Sequence, residues 1–360
     1  MEENLVYTYL IFFLIALTFS FVINGLLLKF AKTLGIRGNS DSTIVRWSSQ
    51  EKPSLGGISF YITFLITIII FSFVKHYIIE FFNLQIIGIF IAVTIGFLLG
   101  LFDDAYNTKP WIKFFTQVLC AIILIITGTY IDFFNNDFYN YFLTVFWVVG
   151  IMNSINMLDN MDGITTIVSI SILTTILASL FLKGNITNPL IIPIIGTLAA
   201  LFGFLYYNWS PAKIFMGDTG SQFLGILLAG IGIIYFWNGT DINGNHILSM
   251  NFMSVVMAFS LPIIDTTTVF IKRISNGNSP FIGGKDHTTH HLSYIGLSER
   301  QVAWVFIFLS ALSFIFTILI TNFIENWSNL HIYIFSAYLI LIFTTIFIIA
   351  NKQPPEPKMQ

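Results

Sequence analysis

Residues 86–106 read IIGIFIAVTIGFLLGLFDDAY, an uncharged apolar run from Ile86 to Phe102 closed by two adjacent carboxylates, Asp103 and Asp104. An apolar run of this kind suits a membrane helix, which needs about 20 mostly apolar residues. Neighbouring carboxylates at its end repel one another and are costly to desolvate unless something cationic sits beside them. The stretch therefore predicts both a solvent for the chain, the bilayer, and a place for chemistry, the membrane edge.

The rest of the chain agrees with that solvent. Of 360 residues 56% are hydrophobic and only 9% are charged, whereas about a quarter of a soluble domain is charged. A net charge of −2 with scattered Lys and Arg gives no nucleic-acid partner. The single cysteine, Cys120, lies in an apolar run and offers neither a disulfide framework nor a Cys-rich metal site. The start, Met1-Glu2-Glu3 followed by an apolar run from Leu5, lacks the basic start and cleavage site of a signal peptide and is expected to stay as the first membrane helix.

The length criterion gives about 11 spans, at 5–30, 55–74, 86–102, 113–131, 141–158, 163–182, 189–207, 214–236, 250–271, 302–321 and 330–350. The predicted fold is an all-α polytopic membrane helix bundle, a single integral-membrane domain over 1–350 with a solvated cytoplasmic tail at 351–360. With the N-terminus outside, every one of the 16 Lys and Arg residues except Lys75 and Lys183 falls on one side. The positive-inside rule makes that side, and the C-terminus, cytoplasmic.

Four polar clusters fall on this same side. The first runs from Asp103 and Asp104 through Lys109 and Pro110 to Lys113 and Gln117. Acids ending one helix and lysines beginning the next can hold a divalent cation and the phosphates it accompanies; the plain alternative is a solvated loop. The second, Asn153-Ser-Ile-Asn156-Met-Leu-Asp159-Asn-Met-Asp162-Gly163, puts amides at i and i+3 on one helix face. Such amides also serve as glue between membrane helices, but two acids so close together are hard to explain structurally. In the third, Asn208 through Phe215-Met-Gly217-Asp218-Thr-Gly220-Ser221, Asp218 opens a helix, so capping is the plain reading and a phosphate or metal site the functional one. The fourth, Ser279-Pro-Phe through Lys285-Asp286-His287-Thr-Thr-His290-His291, places histidines where they suit phosphate binding or proton transfer. The Glu of the zinc-protease H-E-x-x-H pattern is absent. An ion-coupled transporter would instead hold its polar residues near the midplane on helices of internal repeats, and no repeat is visible.

With these clusters in view, the chain resembles the polyprenyl-phosphate N-acetylhexosamine-1-phosphate transferases, from Pro53-Ser-Leu-Gly56-Gly57 to His291. The double-aspartate stretch with Pro110, Lys113 and Gln117, the N-x-x-N-x-x-D-x-x-D-G stretch and the F-M-G-D-x-G-S stretch occur in the family's order. The resemblance implies transfer of a sugar 1-phosphate, in first place N-acetylglucosamine 1-phosphate, from a UDP-sugar to undecaprenyl phosphate, with release of UMP and the start of a cell-envelope glycan. It implies a bacterial inner-membrane location with the site facing the cytoplasm, Mg²⁺ as cofactor with Mn²⁺ as substitute, and a homodimer as the further partner. Carried over by position, Asp103 and Asp104 match the acidic pair, one of which activates the lipid phosphate, Lys113 its basic partner, and Asp218 the magnesium ligand. Asn153, Asn156, Asp159 and Asp162 match the nucleotide-sugar site, Asn208 and Phe215 further donor positions, and His290 and His291 the histidines near the diphosphate. Direct attack by the lipid phosphate and a two-step route through an aspartyl nucleophile are both open.

Two departures stand out. The family often has Lys three residues before the proline of P-x-x-G-G, where this chain has Gln50, with Lys52 the nearest lysine. The late motif commonly reads H-x-H-H, and here one extra residue intervenes. The spacing favours the branch that starts O-antigen, common antigen or teichoic acid over the phospho-muramoyl-pentapeptide branch.

Overall fold

The computed structural model describes residues 2–34, 52–75, 83–277, 279 and 284–351. Gln50, His76, Pro280, Phe281 and the tail from Lys352 lie outside the described residues. The described chain is helical: α1 Glu2–Leu34, α2 Gly56–Lys75, α3 Leu84–Tyr106, α4 Pro110–Ile126, α5 Asp137–Leu158, α6 Ile164–Leu182 and α7 Ile191–Asn208. Then follow α8 Gly217–Gly232, which runs on as a π turn Ile233–Trp237, α9 Leu248–Ala258, α10 Ser260–Ser275, α11 Thr288–Tyr294, α12 Glu299–Asn322 and α13 Asn329–Ala350.

Each of the eleven apolar stretches falls on a helix or, at 250–271, on a pair of them. Among the described residues 8 helices are long and apolar enough to cross a membrane, and the bent pair α9–α10 makes up to 9. The apolar parts of α2 and α4, Gly56–Ile70 and Pro110–Ile126, are shorter. The protein is thus a multi-span membrane protein. Its lipid-facing surfaces are apolar, as on α1 with exposed Leu10, Ile11, Leu14 and Ile15.

Within the stretch 250–271, read as one span, two helices meet at 74°. Pro262 explains the break, since it has no N–H for the carbonyl four residues earlier and its ring crowds that carbonyl. The bend is packed by aromatic rings: Phe259 lies 5.0 Å from Trp147 and 6.2 Å from Phe236 between ring centroids.

At the centre stands α8, buried at every position from Thr219 to Gly232. It packs along α3, α5 and α2. Glycine makes that closeness feasible. A Cβ on Gly57 would sit 2.1 Å from the Gly220 nitrogen, and one on Gly100 would sit 2.1 Å from the Asp218 carbonyl oxygen. Hence the start of α2, the end of α3 and the start of α8 share one spot. A short parallel bridge, Ser54 to Phe215, completes it, with Gly56 N–H donating to Phe215 O (3.1 Å) and Gly57 N–H to Met216 O (3.0 Å).

Candidate active site

Because successive helices alternate in direction, the C-terminal ends of α3, α5 and α7 meet the N-terminal ends of α2, α4, α6 and α8 at one end of the bundle. Asp103 and Asp104 lie in the last turn of α3, which stops at Asn107 in the left-handed region (φ 48°). Pro110 opens α4 in its favoured first-turn position and brings Lys113 over α3. Gly217 (φ 73°) makes the turn into α8, so that Asp218 stands in that helix's first turn.

Neighbours on a helix point about 100° apart, and the two acids accordingly find different partners. Asp103 Oδ1 accepts from the Thr108 N–H (2.8 Å) and hydroxyl (2.6 Å), while Oδ2 pairs with Lys113. Asp104 reaches across to α8: Oδ1 accepts from the Asp218 N–H (3.0 Å), and Oδ2 from the Thr219 N–H (2.9 Å) and hydroxyl (2.6 Å). Lys113 Nζ also donates to Asp218 Oδ2 (3.0 Å) and so bridges Asp103 and Asp218. The Asp103 side chain is only 4% exposed and that of Asp218 31%, which makes Asp218 the open carboxylate of the bridge.

The amides of α5 divide in the same manner. Asn156 donates to Asp218 Oδ1 (2.7 Å) and to the Ser221 hydroxyl (2.9 Å). One turn deeper, Asn153 donates to Gln117 Oε1 (2.8 Å), and Gln117 donates to Gln222 Oε1 (3.1 Å). This amide chain ties α4, α5 and α8 together beneath the acids. Gln222 is the participant that the sequence reading did not name; its i+4 spacing from Asp218 was the available signal.

The remaining predicted residues form the adjoining wall. Asn208, buried, accepts from the Gly163 N–H (3.0 Å) and the Thr166 hydroxyl (3.1 Å) and donates to Ile214 O (3.0 Å). Its amide is thus committed to holding two loops together. Asp162 accepts from the Ala212 N–H (2.7 Å) and lies 3.8 Å from Lys52 Nζ, and that ammonium sits 5.1 Å from the centre of the half-buried Phe215 ring. Lys52, the lysine nearest to the family's expected position, therefore stands beside Phe215. Burial, reinforced by the charges of Asp218 and Asp104, pushes the Asp159 carboxyl up to about 8.

His290 and His291 lie on the short helix α11, with His287 just before it. The buried Asp265, which the sequence reading passed over, accepts from His287 Nδ1 (3.1 Å) and from the Thr288 N–H (2.7 Å). An acid inside an apolar helix was the signal for it. Thr289 donates to Asn160, so α11 abuts the loop that carries Asp159 and Asp162. Burial lowers His290 and His291 each to about 4, with His287 and Lys272 respectively as the next causes, so both rings are neutral at pH 7.

The carboxylates of Asp103 and Asp218 thus share one bridging ammonium, and Asp104 holds the start of the helix that carries Asp218. Among the described residues there is no group of three or more His, Cys, Asp or Glu side chains able to cage a metal ion. Mg²⁺ does not need one, since one or two carboxylates with water and substrate phosphate oxygens suffice. Asp218, open and with acceptor sites left after Lys113 and Asn156, fits that role.

Comparison with known proteins bears on what such a site is for. Residues 86–236 match the model of glycosyl transferase family 4. A Bacillus subtilis (strain 168) protein named "Probable undecaprenyl-phosphate N-acetylglucosaminyl 1-phosphate transferase" is 33% identical over 268 residues, 71% of this chain and 71% of its own. The chain belongs to glycosyl transferase family 4. Another similar protein is the phospho-N-acetylmuramoyl-pentapeptide-transferase of Staphylococcus aureus (strain Newman), 32% identical over 328 residues, 82% of this chain and 94% of its own. The family 4 match takes in α3 to α8 and so spans Asp103, Asp104, Lys113, Asn156 and Asp218, while α10 and α11 fall beyond it.

Proposed function

We propose that this chain transfers N-acetylhexosamine 1-phosphate, in first place N-acetylglucosamine 1-phosphate, from a UDP-sugar to undecaprenyl phosphate. UMP is released, and the product starts a cell-envelope glycan. The observation that carries the reading is the set Asp103, Lys113, Asn156 and Asp218, joined by hydrogen bonds at one end of a membrane bundle. In this reading the chain crosses a bacterial inner membrane eleven times with its N-terminus outside, and the site faces the cytoplasm, where UDP-sugars are made.

The lipid phosphate arrives from the bilayer side, where exposed Phe102, Tyr106, Trp111 and Phe115 rim the acids. One of its oxygens attacks the sugar-bearing phosphorus. The new P–O bond forms as that phosphorus parts from the bridging oxygen of the diphosphate, which leaves on UMP. A phosphate monoester is largely dianionic at neutral pH, its second pKa being near 6, so these residues supply chiefly position and charge. Lys113 draws the phosphates together, Asn156 fixes the Asp218 rotamer, and Asp103 takes any proton the lipid phosphate still carries. Mg²⁺ held by Asp218, or Mn²⁺ in its place, would neutralise charge on the diphosphate. Phe215 and Lys52 offer a flat apolar face and a cation to the nucleotide end.

The test is purified protein with undecaprenyl phosphate, Mg²⁺ and a panel of UDP-sugars, following UMP release and the lipid-linked product. UDP-N-acetylglucosamine should be turned over and Asp218→Asn should be inactive. UMP release from none of the panel would overturn the proposal. The panel should include UDP-N-acetylmuramoyl-pentapeptide, because the Staphylococcus aureus relative aligns over 94% of its length. The spacing His287-Thr-Thr-His290-His291, in place of three adjacent histidines, speaks against that donor.

A further inference from the structure

The geometry points to a division of labour within the acidic pair: Asp104 is a positioning residue that seats the first turn of α8, and with it Asp218. Three of the roughly four acceptor sites of its carboxylate are taken by α8, two by backbone N–H groups and one by the Thr219 hydroxyl. No residue of α8 itself caps that helix, and Met216 before it has no side chain able to do so. The capping carboxylate therefore comes from another helix, 114 residues earlier for the Asp218 N–H. Being an anion, it also sits favourably at the positive end of the helix dipole.

The surroundings are shaped for this contact. Gly100, one turn before Asp104 on the same face of α3, lets the two backbones touch at Asp218. A Cβ on Gly217 would lie 2.7 Å from Asp104 Oδ2, so the glycine leaves the space the carboxylate uses. A proton placed on Asp104 Oδ2 would cost it an N–H or hydroxyl donor and loosen the turn that holds Asp218. Serving as proton acceptor would thus oppose its seating role. Asp103 instead meets α8 at the Asp218 side chain, directly and through Lys113, while its Oδ1 accepts from Thr108.

The consequence for catalysis rests on the proposed reading that Asp218 faces the donor diphosphate; the seating itself does not. The experiment compares Asp104→Asn, Thr219→Val and the double variant, all close to isosteric, in the full-length protein in detergent. Amide hydrogen exchange across residues 216–221 should quicken about tenfold in Asp104→Asn, and less in Thr219→Val, with exchange in α5 unchanged. Turnover, measured as UMP release, should fall in both, with a raised Mg²⁺ requirement, effects in the double variant that are less than additive, and a pH–rate profile of unaltered shape. Unchanged exchange in Asp104→Asn would overturn the seating role. A pH–rate profile that loses a limb in Asp104→Asn, with Thr219→Val behaving as wild type, would overturn the division of labour. Absence of UMP release in the wild-type protein would remove the functional reading alone, because the exchange comparison needs no substrate.

Discussion

Gly100→Ala puts a methyl group where the backbone of α8 already runs. The new Cβ would lie 2.1 Å from the Asp218 carbonyl oxygen and 2.5 Å from its carbonyl carbon, against 3.4 Å or more for ordinary contact. The clashing atoms are main chain, so no side chain can swing aside. Helices α3 and α8 must part by about 1 Å, which at typical overpacking costs is about 1–3 kcal/mol. The hydrogen bonds from α8 to Asp104, now 2.6 to 3.0 Å, would open beyond useful range. A 1 Å misplacement of reacting groups lowers turnover by about 100-fold. The assay is UMP release beside thermal unfolding in the same detergent. Gly150→Ala is the control: it lies inside α5 with nothing within 4 Å of the new Cβ, and should be neutral or stabilising by up to about 1 kcal/mol. Wild-type turnover and melting in Gly100→Ala would refute the close-approach argument, and a loss in Gly150→Ala equal to that of Gly100→Ala would remove its specificity.

Other outcomes follow from the same geometry. Lys113→Met leaves Asp103 and Asp218 facing each other without their bridge, and should cut turnover about 100-fold or more while the protein stays folded; more than a tenth of wild-type turnover would contradict the role given to it. Asn208→Leu strands the Gly163 N–H and the Ile214 carbonyl and should cost about 2–4 kcal/mol of stability, read as a lowered melting temperature. Since His290 and His291 titrate near 4 in the fold against 6.5 for an ordinary histidine, the unfolded chain binds more protons between those values. Stability should therefore fall as pH drops from about 6.5 towards 4, and His291→Gln should flatten that slope; an unchanged slope would mean the ring charges freely in place. Asp159, raised to about 8, works in the opposite sense, costing stability as pH rises from about 4 to 8, so Asp159→Asn should gain on wild type in alkaline buffer.

The helices were legible because a bilayer demands long apolar runs, and the site was legible because acids and amides at a membrane edge need a reason to be there. What escaped has equally physical causes. The break at Phe259 lies within a continuous apolar run, and only Pro262 marked it. Asn153 and Asn156 share a helix face, as their spacing requires, but nothing local says that one turns to Gln117 and the other to Asp218. Likewise the partner of Asp104 is 114 residues away and is set by which helices touch, a matter of tertiary packing.

The burial of α8 from Thr219 onward also bears on the order in which the molecule comes together during synthesis. Helices α2, α3 and α5 emerge before α8, carrying the glycines and the Met152 backbone that will meet it. Until α8 has been made, those surfaces lack the helix they pack against in the finished fold. Insertion of α8 is then the step at which the Asp103 to Asp218 bridge first closes, so assembly of the membrane bundle and completion of its chemistry are one event.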